Sequence, residues 1–209
     1  LKFIQHEHTD SLIGILSDSS LHADSNRSKK ERERTGEKEL VSRLLPDGLT
    51  DWGYEESGKP YFLNRAEDLS FTHCENVYAC QVSKTIRCGI DLQHYREKIV
   101  RLSGKFLNAN ELIFIESIKT EEKVKYLTAM WSAKEVLYKL YGIGFIDYLN
   151  KFTIQPFSTA DAILQAKADF GQGESLFYIR TLFTADFVLA FHTLSPTLPS
   201  DDEKHIFHF

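Results

Sequence analysis

Apolar residues recur every three or four positions from Leu127 to Tyr141, at Leu127, Met130, Leu137 and Tyr141, and Lys134 falls on the same stripe. That period belongs to a helix with one face turned to a core, and Gly142 and Gly144 stop it. The chain then changes rhythm. Residues 151–156, 160–168, 176–183 and 187–193 read as strands, with turns at Gly171-Gln172-Gly173-Glu174 and Thr184-Ala185-Asp186. A helix with one buried stripe, followed by short strands, covers one face of an antiparallel sheet. The fold class is therefore α+β.

The first half repeats that order. Residues 28–45 predict a helix, with Lys29, Lys30, Arg32, Arg34 and Lys38 among interleaved glutamates and Leu40, Val41, Leu44 and Leu45 on its apolar side. Such a charge run ordinarily marks a solvated face. Pro46-Asp47-Gly48 ends the helix, and Ser57-Gly58-Lys59-Pro60 is a turn. Residues 61–64 and 69–73 predict brief strands, and 77–82 with 86–92 a hairpin around Ser83-Lys84-Thr85. Phe3-Ile4 and residues 12–16 fit either edge strands or a short helix. The expectation is two similar α/β halves, each a helix packed on a small antiparallel sheet: 1–95 and 96–195, with a tail at 196–209.

The composition supports a packed interior and narrows the partners. Of 209 residues 42% are hydrophobic, including fifteen Phe and nine Tyr. The formal net charge of −5 gives nucleic acid no general attraction, so an anionic ligand needs a local cluster of Lys and Arg. Cys74, Cys80 and Cys88 are odd in number and form no C-x-x-C pair, which argues for free thiols over a disulfide framework or zinc ribbon. With no long apolar run, the expectation is a cytoplasmic protein without a membrane or nucleic-acid partner.

Two stretches carry candidate chemistry: Gly89-Ile90-Asp91, and Trp131-Ser132-Ala133-Lys134-Glu135 with Lys139. At the surface, Glu135 and Lys139 would be an ordinary helix pair contributing ~0.3–0.5 kcal/mol. The apolar surround, Trp131 included, argues against a solvated pair. Asp91 lies in an apolar strand as either a strand-end cap or a ligand, with Gln93 on its face. Two hard oxygen ligands beside lysines suit a magnesium-held polyphosphate. His73 reads as either a satisfied structural residue or, beside Thr72, a phosphate donor. Lys59 is a turn lysine next to a glycine that permits close backbone approach.

Taken in order, Gly58-Lys59-Pro60, Phe71-Thr72-His73-Cys74, Gly89-Ile90-Asp91 and Trp131-Ser132-Ala133-Lys134-Glu135 with Lys139 resemble the 4′-phosphopantetheinyl transferases of the larger, surfactin-synthetase type, over roughly residues 28–193. The resemblance implies a pseudo-duplicated fold binding coenzyme A between its halves, nucleotide contacts in the first and metal and carrier contacts in the second. It also implies transfer of the phosphopantetheine arm to a serine of an apo acyl or peptidyl carrier protein, by an enzyme that is typically monomeric. By family position Asp91, Glu135 and Gln93 are the magnesium ligands, with manganese a possible substitute. Asp91, Glu135 and Lys139 carry catalysis, and Lys59, Thr72, His73, Lys134 and Lys139 contact the cofactor. Glu111 matches a further acidic position, a second base candidate. Many members have Glu where this chain has Gln93, and serines where it has Thr72 and Cys74. A non-catalytic coenzyme A- or carrier-binding module is the alternative function.

Overall fold

A computed structural model describes residues 2–8, 10–18, 28–45, 47–48, 51–142 and 147–194; the expected tail lies outside them. Two compact units divide between Ile90 and Asp91.

The first unit opens with strands β1 (Lys2–His8) and β2 (Ser11–Ser17), so the strand reading holds at its N-terminal end. Helix α1 (Lys29–Leu44) follows. Ser28 caps it: its hydroxyl accepts the Glu31 N–H, and the Glu31 side chain accepts the Ser28 N–H. Then come β3 (Trp52–Tyr54), β4 (Pro60–Phe62), β5 (Asp68–Cys74) and β6 (Val77–Ser83). The sheet runs β1-β2-β6-β5-β4-β3, with every neighbouring pair antiparallel. Leu40, Val41 and Leu44 of α1 pack with Leu16, Tyr78, Cys80 and Val82 of the sheet.

The second unit's sheet begins with β7 (Ile90–His94), followed by helices α2 (Lys98–Leu102), α3 (Ala109–Glu116), α4 (Lys123–Tyr141) and α5 (Tyr148–Lys151). Strands β8 (Phe152–Ile154), β9 (Ile163–Asp169), β10 (Glu174–Phe183) and β11 (Phe187–Thr193) complete it. Gly142, at φ 68°, terminates α4 in the left-handed conformation that glycine adopts without a Cβ clash. Met130, Ala133, Val136, Leu137 and Leu140 of α4 pack on Phe152, Leu164, Ile179 and Ala190 of the strands.

The two units share one topology. In each, a first strand and a long helix precede four strands, and the sheet order is first-last-fourth-third-second: β2-β6-β5-β4-β3 and β7-β11-β10-β9-β8. The chain is an α+β fold of two similar halves, with β1 added at the edge of the first sheet.

The hairpin expected across 77–92 does not form. Strand β6 pairs with β2 and β5, whereas β7 pairs with β11. The true β5–β6 hairpin turns at Glu75-Asn76, with Glu75 at φ 55°. After β6, side chains satisfy the backbone donors: Ser83 Oγ accepts from Thr85 and Ile86, Gln81 Oε1 from Gly89, Ser70 Oγ from Ile90, and Asp68 Oδ2 from Cys88. With its N–H groups capped, this stretch has no ladder to join.

Helix α1 lies against the sheet at Gly36, where an added Cβ would be 2.5 Å from the Tyr78 ring. Alanine ordinarily favours a helix by ~1 kcal/mol over glycine. Here the clash outweighs that gain, and Gly36→Ala is expected to lower stability by about 1–2 kcal/mol in urea denaturation; a gain would show that the ring yields.

Candidate active site

Strand β7 alternates. Ile90 and Leu92 are fully buried, and Asp91 and Gln93 occupy the opposite face. Asp91 is 3% exposed; its Oδ1 accepts the Lys139 ammonium at 3.0 Å and its Oδ2 the Gln93 amide at 3.2 Å. Glu135 joins the same cluster. Burial raises its carboxyl above the usual range, and the charge of Asp91 raises it further against the opposing effects of Lys139 and Tyr148. Asp91, Gln93, Glu135 and Lys139 therefore come together from two elements, though Asp91 and Lys139 are 48 residues apart.

Tyr148, which no sequence pattern marked, completes the cluster by donating its phenol to Glu135 Oε1 at 3.0 Å. Its ring stacks on Trp131 (centroids 5.7 Å, 11°) and Tyr138 (5.8 Å, 26°), with Phe152 edge-on. Burial and the Glu135 charge raise the phenol's pKa, which keeps it a donor.

Lys134 is turned the other way. It is 0% exposed, and its ammonium donates to Glu111 Oε2 (2.7 Å) and to the carbonyls of Phe106 (2.6 Å), Phe152 (2.9 Å) and Tyr148 (3.2 Å). This ammonium, expected at the cofactor, braces the interior. Glu111 is placed likewise. It is 1% exposed, accepts the backbone N–H of Asn108 and of Ile154, and so belongs to the cap of α3 and the start of β8, not to a base position. Removing one member of a buried pair strands the other's charge, so Lys134→Met should cost about 3–5 kcal/mol in chemical denaturation; a loss below about 1 kcal/mol would contradict the bracing role.

In the first unit, Lys59 is 8% exposed and pairs with Asp68 (2.7 Å) and the Cys88 carbonyl (3.3 Å), next to Gly58 at φ 85°. Thr72 is buried, and His73 presents Nε2 to Glu33 at 2.9 Å while its ring faces Tyr78. Along α1, Arg34 lies over the Trp52 ring at 4.4 Å and donates to the Tyr54 hydroxyl. Lys30, Arg34, Glu31, Glu33 and Glu37 line one groove there, so its walls carry both signs of charge. Cys80 and Cys88 are buried free thiols, and burial pushes Cys80 up to about 12.

Glu37 is 9% exposed, and burial, partly offset by Arg34 and the Tyr54 hydroxyl and reinforced by the Glu33 charge, raises it from 4.5 to about 7. An acid whose folded value is raised stabilises fully below its unfolded value and loses that contribution as pH rises through the folded one. Glu37→Gln is therefore expected to be more stable than wild type at about pH 8, by on the order of 1–3 kcal/mol, and equal to it near pH 4. Denaturation at the two pH values checks this; equal stability at both would refute it.

Asp91 and Glu135 offer two carboxylates and Gln93 a neutral amide; among the described residues no group of three or more His, Cys, Asp or Glu is gathered for a metal. A hard cation that keeps several waters fits that donor set. Among the described residues, no helix is long and apolar enough to cross a membrane.

The family model of the 4′-phosphopantetheinyl transferase superfamily matches residues 87–191, a stretch that contains Asp91, Gln93, Lys134, Glu135, Lys139 and Tyr148. The 4′-phosphopantetheinyl transferase gsp of Aneurinibacillus migulanus is 27% identical over 108 residues. The alignment takes in 52% of this chain and 45% of that protein, so the chain spans less than half the length of the relative it matches.

Proposed function

The chain belongs to the 4′-phosphopantetheinyl transferase superfamily, and on that footing we propose that it transfers the phosphopantetheine arm of coenzyme A to a serine of an apo acyl or peptidyl carrier protein, releasing adenosine 3′,5′-bisphosphate. One observation carries the reading: the buried carboxylate of Asp91 and the half-buried carboxylate of Glu135 lie together beside the Lys139 ammonium, within the stretch that matches the family.

Asp91 and Glu135, with Gln93 as a neutral third donor, would hold a magnesium ion. When bound, the ion offsets the negative charge of the pyrophosphate under attack. The protein's own groups do the rest. Glu135 takes the proton of the attacking serine hydroxyl, its raised carboxyl suiting a base. The serine oxygen bonds to the phosphorus that carries pantetheine, and the bond from that phosphorus to the leaving phosphate's oxygen breaks. Lys139 neutralises the departing phosphate. Gln93 steadies Asp91 through its amide N–H. His73 and Thr72 contact phosphate at the nucleotide end, where His73 exchanges Glu33 for the ligand. Lys59 acts through the turn it ties to Asp68 and Cys88.

Carrier proteins of this kind are acidic, and a chain of net charge −5 must receive them on a local surface. On α2, exposed Val100 and Leu102 sit beside exposed Lys98 and Arg101, a mixed patch of the required kind. Lys119 is exposed as well, and Lys125 lies over the Phe183 ring at 5.0 Å.

The test is transfer itself. Incubated with coenzyme A, magnesium and a panel of apo carriers, the wild-type chain should add one phosphopantetheine, read by intact mass. Glu135→Gln should reduce the rate by about a hundredfold or more. No mass gain on acyl, peptidyl or aminoadipate-type carriers would reject the proposal.

A further inference from the structure

We infer that Tyr148 is a positioning residue for the cation: its phenol holds the Glu135 carboxylate in place beside Asp91. The inference rests on the transferase reading above and adds to it a residue outside the motif.

Four observations support it. The phenol donates to Glu135 Oε1 at 3.0 Å, although Tyr148 stands 13 residues away on a separate helix. The ring is clamped by Trp131, Tyr138 and Phe152, so the hydroxyl is delivered from a fixed direction. The backbone of Tyr148 is fixed as well. Lys134 donates to its carbonyl, and Asp147 caps the helix by accepting the N–H groups of Leu149 and Asn150. Finally, Asp91 and Glu135 repel one another. A carboxylate so repelled turns away unless a donor holds it, and a single phenol leaves most of its lone pairs for a cation. Partners that orient a ligand in this way typically contribute tenfold or more to metal affinity.

The test uses the full chain as wild type, Tyr148→Phe and Tyr148→Leu. Phenylalanine keeps the stacked ring and removes only the hydroxyl, and it should melt within about 4 °C of wild type. Its Kd for Mn2+, read from the electron paramagnetic resonance of the free ion, should rise about tenfold. Its kcat should fall by a similar factor, with KM for coenzyme A changed less than about twofold. Leucine, which also removes the ring, reports the purely structural part of the effect through its melting temperature. Tyr148→Phe with wild-type Mn2+ affinity and kcat would overturn the positioning role while leaving the transferase reading intact. So would losses in the two variants that merely track the fraction of folded protein. A wild-type chain that neither binds Mn2+ nor transfers would overturn the transferase reading and this inference with it.

Discussion

The buried ammonium of Lys134 fixes the second unit around it. Burial lowers its pKa, and the Glu111 charge opposes that shift. An ion in such a place is tolerable only when its donors are matched, and Lys134 has four acceptors. Those acceptors come from the segment before α3, from α3 itself, from α5 and from β8. Glu111 extends the bracing by accepting from Asn108 and Ile154. Successive residues of a helix point about 100° apart. With Lys134 locked inward, Glu135 is set toward the side where β7 carries Asp91, and Lys139, one turn on, follows it. The same ammonium holds the carbonyl of Tyr148, whose phenol holds Glu135. The core ion pair and the acidic cluster are thus consecutive links of one network.

The shared topology makes the difference between the units informative. The first strand of the second unit's five-strand pattern carries Asp91, and its helix carries Glu135 and Lys139. The corresponding strand of the first unit, β2, has the sequence Ser-Leu-Ile-Gly-Ile-Leu-Ser, without an acid. Helix α1 does bury a carboxylate, Glu37, but its neighbours are Arg34, Tyr54 and an acid of the same helix, Glu33, with none from the strand. One backbone plan therefore serves two purposes. On the proposed reading, the copy with acids on both strand and helix would hold a cation, whereas the copy with an aliphatic strand packs that strand into its core.

The secondary structure was largely legible because its signals are local. The stripe on α4, the glycine that stops it and the turns between the last strands can all be read within a few residues. Asp91 and Glu135 stood out because a carboxylate in an apolar strand, or among the apolar neighbours of a helix such as Trp131, needs a reason to be there. The misreadings share one cause. Lys134 looked like a lysine reaching for a ligand because its acceptors lie at 106, 111, 148 and 152, and no local pattern reports such partners. Residues 86–92 looked like the second arm of a hairpin because their apolar run fits a strand. Whether a strand turns back or leaves for another sheet depends on Gln81, Ser70 and Asp68, which cap the departing backbone from other strands. Tyr148 was invisible for a related reason: its stack with Trp131 and Tyr138 exists only after α5 has folded back on α4.

Gln93, where many family members carry a glutamate, alters the balance of charge in a particular direction. With two carboxylates and one ammonium, the cluster carries about one net negative charge; a third carboxylate would double it. In a buried setting each added like charge raises the cost of keeping the others ionised. The amide avoids that cost and turns its N–H to Asp91, so that the strand's own acid gains a donor in place of a repelling neighbour. The cluster is thereby held together by its own residues through Lys139, Gln93 and Tyr148. The same exchange weakens the attraction for a divalent ion, which must then draw more of its ligands from water and from the pyrophosphate it accompanies. In the proposed reaction this favours the ion arriving with coenzyme A over its waiting in a finished cage.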